Sequence, residues 1–242
     1  MRDIFQFKQF SLNQDQCAMK VGTDGVLLGA WINLFSDTRR ILDVGSGTGL
    51  IALMLAQRVP HSKIDGIEQD AKAYEQGVDN FQNSPWDQNL YNFHGTFQEF
   101  ARKGERCYDL IVCNPPFFNQ GQVDKHDQRS MARNAKALPI DAIVKGALDL
   151  LILSGRLAMI LPHDDKELVM SILESHGMLL LRMTSVRGNE SKPPKRLLIE
   201  AGLKTEINRS IPTEFRELII EHSRHNHTEQ YRDLVREFYL KI

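Results

Sequence analysis

One segment near the start of the chain restricts its fold more than any other. Residues 41–55 read Ile-Leu-Asp-Val-Gly-Ser-Gly-Thr-Gly-Leu-Ile-Ala-Leu-Met-Leu: a short apolar run, three alternating glycines and a second apolar run. This order predicts a buried β-strand, a tight turn and a helix. Gly45, Gly47 and Gly49 allow the backbone to approach a ligand closely, and the first amides of the helix would face that ligand.

The same alternation of strand and helix patterns continues to about residue 176. Apolar, branched runs occur at residues 41–44, 64–67, 110–112 and 157–161, and helical patterns at residues 50–56, 74–81, 140–151 and 168–172. Continuous apolar strands are typical of a parallel sheet that is covered by helices on both faces. Repeated βα units wind in one hand, so the sequence predicts an α/β fold with a mostly parallel, doubly wound sheet.

The alternation stops after residue 176. Two apolar segments, residues 178–183 and 197–203, flank a polar stretch that contains prolines, which predicts an antiparallel hairpin closing the edge of the sheet. A further strand is predicted at residues 218–220, and a final helix at residues 231–238.

The chain length of 242 residues allows one large domain with a small addition. Residues 1–38 precede the first strand of the alternation and are too few for a core of their own. We therefore predict an N-terminal extension, residues 1–38, that caps the ligand site, and one domain formed by residues 39–242.

Two acidic residues and the glycine spacing indicate which nucleotide binds. Glu68 ends the second predicted strand, where its carboxylate can accept hydrogen bonds from two ribose hydroxyls; the alternative is a solvated carboxylate. Dinucleotide sites tend to read G-x-G-x-x-G, whereas here the glycines alternate and Asp43 precedes them by two positions. This pattern resembles the first motif of class I S-adenosylmethionine-dependent methyltransferases.

That resemblance implies a Rossmann-like class I methyltransferase fold with S-adenosyl-L-methionine as cofactor. In that family the acidic residue helps to position the methionine end of the cofactor, and the glycines approach its adenosine. The cofactor-binding residues implied in this chain are Asp43, Gly45, Ser46, Gly47, Gly49 and Glu68.

A second motif, Asn114-Pro115-Pro116-Phe117, follows the predicted strand at residues 110–112. The prolines fix the backbone and remove two amide donors, which leaves the side-chain oxygen of Asn114 and the carbonyl of Pro115 as forward-pointing acceptors. Alone, the motif would indicate only a strand stopped by proline. Beside the glycine loop it resembles the N-P-P-[YF] motif of methyltransferases that act on adenine N6, guanine N2 or the glutamine amide nitrogen.

The chemistry of an amino group explains these residue types. The lone pair of an exocyclic amine is delocalised into the ring, and two acceptors on its N–H bonds expose that lone pair, so no cysteine nucleophile is needed. A base that has left its stack can pack on Phe117. The resemblance thus implies that Asn114, Pro115, Pro116 and Phe117 form the catalytic motif.

Most of the chain resembles one family in particular. Residues 7–31, Ser84-Pro-Trp86 and the ending Phe238-Tyr-Leu240 are similar to bacterial tRNA(Val) adenine-N6 methyltransferases. The resemblance implies tRNA as partner and methylation of the adenine directly 3′ of the anticodon, position 37 of tRNA(Val).

Five further residues would complete the cofactor pocket by the same resemblance. Lys20, Thr23 and Asp24 would line it from above; the alternative is a Thr-Asp-Gly turn between two strand-like pieces. After the third strand, where methyltransferases often carry an acidic residue, this chain has Thr96 and Phe97. They would offer a hydroxyl and an apolar wall, without the carboxylate contact.

Other functions remain open from the sequence. Methylation of a protein glutamine amide, or of adenine or guanine in rRNA, is the alternative within enzymes. A methyltransferase-like module that binds RNA without catalysis is the alternative outside them. The roughly forty residues before the glycine loop disfavour the release-factor enzymes, which carry a helical domain there, and the intact Asn-Pro-Pro-Phe motif disfavours the non-catalytic module.

The formal net charge of −1 hides an uneven distribution. Residues 180–204 contain six basic and two acidic residues, whereas residues 60–110 contain five basic and nine acidic ones. The stretch just after residue 117 carries a net +2. We predict that basic residues of the two positive stretches contact RNA phosphates, the alternative being a solvated surface. These residues are Arg129, Arg133, Arg187, Lys192, Lys195 and Arg196.

The remaining composition excludes several classes of protein. Cys17, Cys107 and Cys113 predict neither a disulfide framework nor a zinc site. The segment His-Ser-Arg-His-Asn-His at residues 222–227 lacks matching ligands elsewhere, so we predict no metal and a solvated linker there. No apolar run reaches the ~18 residues of a membrane helix, and no signal peptide is evident. We expect a cytoplasmic protein and assume a monomer.

Overall fold

The computed structural model describes residues 3–17, 19–116 and 138–242. Its strands are β1 (Ile4–Gln6), β2 (Ser11–Asn13), β3 (Arg40–Val44), β4 (Lys63–Glu68), β5 (Leu90–His94), β6 (Tyr108–Cys113), β7 (Leu151–Pro162), β8 (Met178–Arg187), β9 (Arg196–Leu203), β10 (Glu214–Ile219), β11 (Glu221–Ser223) and β12 (Asn226–His227). Eight of them form the central sheet, in the order β10-β8-β9-β7-β6-β3-β4-β5.

The central sheet confirms the predicted class. All neighbouring strands pair in parallel except β9, which is antiparallel to both β7 and β8. The predicted hairpin is therefore present as β8 and β9, but it does not close the edge of the sheet. Seven of the eight residues of β9 are buried, which suits an interior strand, whereas β10 exposes its first four residues and forms the edge.

Helices cover both faces of the sheet. They are α1 (Thr23–Trp31), α2 (Leu50–Arg58), α3 (Ala71–Gln82), α4 (Phe97–Lys103), α5 (Ile140–Leu150), α6 (Lys166–Ser175), α7 (Glu206–Arg209) and α8 (Glu229–Val235). One apolar cluster joins α1, α2 and α8 to one face, and a second joins α4, α5 and α6 to the other. Successive residues of β3 alternate between them, with Ile41 in the first cluster and Leu42 in the second.

The N-terminal residues belong to the first of these clusters, where Phe7 and Leu12 are fully buried. Helix α1 packs closely on α2: a Cβ on Gly25 would lie 2.9 Å from Cδ2 of Leu50. The alternative of a Thr-Asp-Gly turn between strand-like pieces is wrong, because the chain is helical from Thr23 onward.

The C-terminal residues confirm the predicted last strand and helix as β10 and α8. Residues 222–227 are not a linker, however, because β11 and β12 pair in a small antiparallel hairpin. In the described ranges, no helix combines the length and the apolar character that crossing a membrane requires.

A buried ionic cluster connects the N-terminal residues to the β8–β9 hairpin. Glu200, 2% exposed, forms ion pairs with Arg182 (3.1 Å) and Arg156 (3.5 Å). The guanidinium of Arg182 also lies over the ring of Trp31, 3.6 Å from its centroid. Arg182, one of the six basic residues counted in the positive stretch, is thus an interior residue and not part of an RNA-facing surface.

Candidate active site

Three parallel strands bring the predicted motifs to one edge of the sheet. Val44 pairs with Ile67 of β4 and with Cys113 of β6, so the three strands end at the same level. The glycine loop, the end of β4 and Asn114 therefore meet at the carboxyl edge, where open α/β sheets bind their ligands.

The glycine loop adopts a backbone that other residues disfavour. Gly45, Gly47 and Gly49 have φ of 70°, 55° and 84°, in the left-handed region. The amide of Gly49 donates to the carbonyl of Ser46 at 2.8 Å, and helix α2 begins at the next residue. A Cβ on Gly49 would lie 2.3 Å from the ring of Phe81, whereas a Cβ on Gly45 would meet no atom within 4 Å. Open space beside Gly45 leaves room for a ligand.

The carboxylate of Glu68 holds this loop in place. Its Oε2 accepts a hydrogen bond from the amide of Gly47 at 2.9 Å, and its Oε1 accepts one from the amide of Asp70 at 2.8 Å. Each carboxylate oxygen can accept a second hydrogen bond. Binding of ribose hydroxyls by Glu68 is compatible with this geometry and stays a prediction.

Asp43 lies beneath the loop and is 1% exposed. Its Oδ2 accepts a hydrogen bond from the amide of Ala52 at 3.1 Å, while its Oδ1 is buried with no partner among the described residues. Burial raises the pKa of Asp43 to about 7, and the charge of Glu68 contributes in the same direction. A cationic or donor group at Oδ1 would favour the ionised form.

Asn114 directly follows β6. Its Oδ1 is buried and also has no hydrogen-bond partner in the described part of the chain. Helix α1 lies beside it, because a Cβ on Gly25 would stand 3.9 Å from Nδ2 of Asn114. Pro115 is buried and Pro116 is exposed. Phe117, the last residue of the motif, lies outside the described residues.

The neighbouring thiol of Cys113 is not a nucleophile. Burial raises its pKa well above the ordinary value, and the charges of Asp43 and Glu68 raise it further. The side chain therefore stays a neutral thiol at physiological pH, and only the thiolate is nucleophilic.

The N-terminal residues of the predicted pocket have contacts of their own. Lys20 forms an ion pair with Asp3, Nζ to Oδ2 at 2.5 Å, and Asp24 forms one with Arg196, Oδ2 to Nε at 2.9 Å. Thr23 is exposed at the start of α1. The position of α1 beside Asn114 places Asp24 near the site, and cofactor contact by these three residues stays a prediction.

Thr96 and Phe97 have structural roles after β5. The hydroxyl of Thr96 accepts a hydrogen bond from the amide of Glu99 at 3.3 Å and caps helix α4. Phe97 is 4% exposed in the second apolar cluster, and a Cβ on Gly146 would lie 2.5 Å from its ring. A contact of either residue with the cofactor adenine stays a prediction.

The loop between β8 and β9, residues 188–195, lies at the same edge as the motifs. Pro162, the last residue of β7, pairs with Arg196, and β7 runs parallel to β6. Lys192 and Lys195 are exposed in this loop. We call residues 188–195 the basic loop.

The other predicted RNA-binding residues differ in their availability. Arg187 forms an ion pair with Glu217, Nε to Oε1 at 2.5 Å, and Arg196 is engaged with Asp24. Arg129 and Arg133 lie outside the described residues. Phosphate contact by any of these residues stays a prediction.

Two asparagines that were not among the predicted site residues support the glycine loop. Nδ2 of Asn80 donates to the carbonyl of Thr48 at 2.9 Å, and the hydroxyl of Ser46 donates to Oδ1 of Asn92 at 3.1 Å. The sequence gives no signal for Asn80, because the helical pattern of Tyr74, Val78 and Phe81 leaves it off the predicted apolar stripe.

The carboxyl edge fits the cofactor that the sequence implies. S-adenosyl-L-methionine carries an amino group and ribose hydroxyls as donors, and the edge offers the unpartnered Oδ1 of Asp43 and the remaining lone pairs of Glu68. Open space beside Gly45 lets the ligand approach the backbone. Among the residues described, no group of three or more His, Cys, Asp and Glu side chains is placed to hold a metal ion.

The fold and this edge define a class I methyltransferase. The fold agrees with a solved structure described as a predicted O-methyltransferase, Atu636 from Agrobacterium tumefaciens, at a TM-score of 0.68, with 16% identity over 89% of this chain and 96% of that one. TYW2 from Pyrococcus horikoshii, solved in complex with MeSAdo, has a TM-score of 0.59, with 13% identity over 84% of this chain and 72% of that one.

Sequence comparison narrows the class to a family. The model of the methyltransferase small domain family matches residues 26–164. The tRNA1(Val) (adenine(37)-N6)-methyltransferase of Christiangramia forsetii is 45% identical over 240 residues, which cover 98% of each chain. The chain therefore belongs to the tRNA1(Val) (adenine(37)-N6)-methyltransferase family, within the methyltransferases of the small domain type.

Proposed function

We propose that this protein transfers a methyl group from S-adenosyl-L-methionine to the N6 amine of adenine 37 in tRNA(Val). The observation that carries the proposal is the buried, unpartnered Oδ1 of Asn114 at the edge where the glycine loop also ends. An unpartnered acceptor in that position can accept a hydrogen bond from a ligand. The exocyclic amine of adenine offers two N–H donors. The name of the full-length relative supports this choice of substrate.

The cofactor would be held by the glycine loop and the acidic residues beside it. When bound, S-adenosyl-L-methionine supplies an electrophilic methyl group on its sulfonium. Asp43 would accept a hydrogen bond from the amino group of the methionine end, and Glu68 would accept from the ribose. The other proposed contacts are Gly45, Ser46, Gly47, Gly49, Lys20, Thr23, Asp24, Thr96 and Phe97.

Asn114 and Pro115 would orient the amine that becomes methylated. The side-chain oxygen of Asn114 and the carbonyl of Pro115 accept from the two N–H bonds, so the lone pair of nitrogen turns away from the ring. Since the methylated nitrogen is positively charged, it releases a proton to water without a dedicated base. Holding the reactants in line contributes up to about 7–11 kcal/mol to such reactions. Phe117 would stack on the target base.

The RNA would lie along the carboxyl edge. We propose that Lys192, Lys195, Arg187 and Arg196 contact its phosphates, together with Arg129 and Arg133. Residues 1–38 would cap the bound cofactor. A tRNA-modifying enzyme works where tRNA is present, so we place the protein in the cytoplasm.

Methyl transfer to a defined RNA tests the proposed reaction. Labelled methyl groups from S-adenosyl-L-methionine should appear in tRNA(Val) transcripts with adenine at position 37 and not in transcripts with guanine there. Asn114→Ala should slow transfer by at least about tenfold, because one hydrogen bond to the reacting amine is lost. The matched control is Asn83→Ala, an exposed asparagine whose Nδ2 bonds only to Asp79 of its own helix.

Calorimetric titration with S-adenosyl-L-methionine separates catalysis from folding. Asn114→Ala protein should bind the cofactor as the wild type does and melt at a similar temperature. Equal labelling of tRNA by wild type and Asn114→Ala would refute the role of the motif. Labelling of a protein extract in place of tRNA would refute the choice of substrate.

A further inference from the structure

The hairpin formed by β11 and β12 and the basic loop are one continuous surface. The amide of Ile220 donates to the carbonyl of Arg187, and the amide of Glu221 donates to the carbonyl of Gly188, both at 3.0 Å. Strands β8 and β10 both end at this point and run in the same direction. Because β8 is antiparallel to β9 and β9 to β7, this is also the edge where Asn114 lies.

The tip of the hairpin displays two exposed residues, one of which has an uncommon backbone conformation. Ser223 pairs with Asn226, so the connecting residues are Arg224 and His225, both exposed. His225 has φ of 65°, the only non-glycine residue with positive φ in the described ranges. Residues other than glycine are uncommon at positive φ, and asparagine, aspartate and histidine are the types that occur there most often. The backbone at His225 is therefore mildly strained, and strained residues cluster at functional sites.

Three carboxylates of this surface form ion pairs or hydrogen bonds with other residues of the same surface. Oε1 of Glu190 lies 3.4 Å from Nδ1 of His222, and Oε2 of Glu221 accepts the amide of His225 at 3.1 Å. Glu217 is paired with Arg187. The cations that form no ion pair within the described part of this surface are Lys192, Lys195 and Arg224. These three cations outnumber the two carboxylates, of Glu190 and Glu221, whose partners are an imidazole and a backbone amide. The surface is therefore net positive, and it lies at the same edge of the sheet as the candidate active site.

We propose that the tip of this hairpin binds the tRNA substrate: Arg224 contacts a backbone phosphate, and the ring of His225 stacks on an unpaired base. The proposal rests on the proposed function, since it assumes an RNA at the carboxyl edge. Unpaired bases of RNA loops are recognised by stacking on flat side chains, including histidine. Phosphate contacts by basic side chains position the RNA.

Salt titrations of tRNA binding separate the two contacts. Arg224→Ala should raise the Kd for a tRNA(Val) transcript about tenfold at low salt. It should also lower the slope of log Kd against log salt by about 0.7 to 0.9, the value for one phosphate. Arg224→Lys keeps the charge and should keep the slope.

His225→Gly removes the ring and suits the positive φ of the tip. It should raise the Kd roughly fivefold or more, as expected for a lost stacking contact, and leave the salt slope unchanged. Since glycine relieves the strain, its melting temperature should not fall. The matched control is Lys63→Ala, which removes an exposed cation at the amino end of β4, on the opposite edge of the sheet.

The outcomes distinguish this proposal from the proposed function. If wild-type protein methylates tRNA and both tip variants bind it with the Kd and slope of the wild type, the hairpin proposal fails alone. A Lys63→Ala protein that loses as much affinity as Arg224→Ala would also refute it, because the effect would then be general charge. A wild type that neither binds nor methylates the transcript overturns both proposals.

Discussion

At the scale of single residues, the site is marked by two acceptors that the fold does not satisfy. Oδ1 of Asp43 and Oδ1 of Asn114 are buried with no hydrogen-bond partner among the described residues. A buried polar atom without a partner costs about 1–3 kcal/mol, so stability alone gives no reason for either side chain. The proposed function gives both a donor, from the amino group of the cofactor and from the adenine amine.

Asp43 should make stability depend on pH in an unusual direction. Its pKa of about 7 in the folded chain exceeds the ordinary value of 3.8. Between these values the folded chain keeps a proton that the unfolded chain has released, so the free energy of unfolding falls as pH rises through this window. The slope from this group is up to about 1.4 kcal/mol per pH unit.

Urea unfolding of the ligand-free wild type and Asp43→Asn, between about pH 5 and about pH 8, measures this effect. The variant lacks the titrating group. As the pH rises to about 7, the free energy of unfolding of the variant should therefore increase relative to that of the wild type, and above about pH 7 the difference should stay constant. Two stability curves that run parallel across the whole interval would show that Asp43 does not titrate there.

At the scale of elements, the sequence predicted those features that depend only on residues close together along the chain. The glycine loop was predictable, because φ above zero at three positions requires glycine at each of them. Helix α1 was not, since its glycines at positions 25 and 29 lower helix propensity. It forms because Gly25 and Gly29 let it approach Leu50 and Met54 of α2, a tertiary effect that local pattern does not contain.

Local sequence pattern also does not reveal which charged residues are buried, or the order of the strands in the sheet. Arg182 looked like a surface cation, but its partner Glu200 is eighteen positions away on the paired strand, at a register shift that sequence does not reveal. The hairpin of β8 and β9 was predictable from its two apolar segments. The insertion of β9 beside β7 was not, because spacing along the chain does not specify which strand of a hairpin lies inside.

Asn80 should link the N-terminal residues to the glycine loop. Its Oδ1 accepts the amide of Asn13 at 2.8 Å, and its Nδ2 donates to the carbonyls of Asn13 (3.0 Å) and Thr48 (2.9 Å). Asn80→Ala loses all three bonds and should lower the free energy of unfolding by about 2–3 kcal/mol. Asn83→Ala, at the exposed end of the same helix, should change it by less than about 0.5 kcal/mol.

Hydrogen exchange locates this effect in the chain. Amides of residues 11–16 should exchange faster in Asn80→Ala than in Asn83→Ala, since the first loses the contact that anchors them. If the protection of these amides is the same in both variants, Asn80 stabilises its own helix and not the N-terminal residues.

At the scale of the whole molecule, residues near the N-terminus and residues near the C-terminus pack against the same apolar cluster. Phe7 bridges to Tyr239, and the amide of Lys8 donates to the carbonyl of Phe238 at 2.8 Å. The buried ionic cluster adds a second connection, from α1 to the β8–β9 hairpin. These contacts indicate that residues 3–17 and 19–38 fold together with the rest of the described chain, so the predicted capping role would belong to a part of the core.

Removal of one charge from the ionic cluster should therefore weaken the whole fold. Glu200 pairs with Arg182 and Arg156 and accepts the amide of Asn33 at 3.0 Å. Glu200→Gln leaves two buried guanidinium groups without a counter-charge, which should lower the free energy of unfolding by about 3–5 kcal/mol. The control Glu206→Gln breaks only the exposed pair with Arg209 and should cost less than about 1 kcal/mol.

Urea unfolding followed by two signals tests both the size and the extent of this effect. Fluorescence reports mainly on the two tryptophans. Trp31 donates a hydrogen bond to Thr184 at 3.0 Å beside the ionic cluster, and Trp86 packs against the first apolar cluster. Far-ultraviolet circular dichroism reports on the entire sheet. Since one core joins the N-terminal residues to the sheet, the two transitions should coincide in the wild type and shift together in Glu200→Gln. A fluorescence transition that precedes loss of the sheet would show that the N-terminal residues unfold separately.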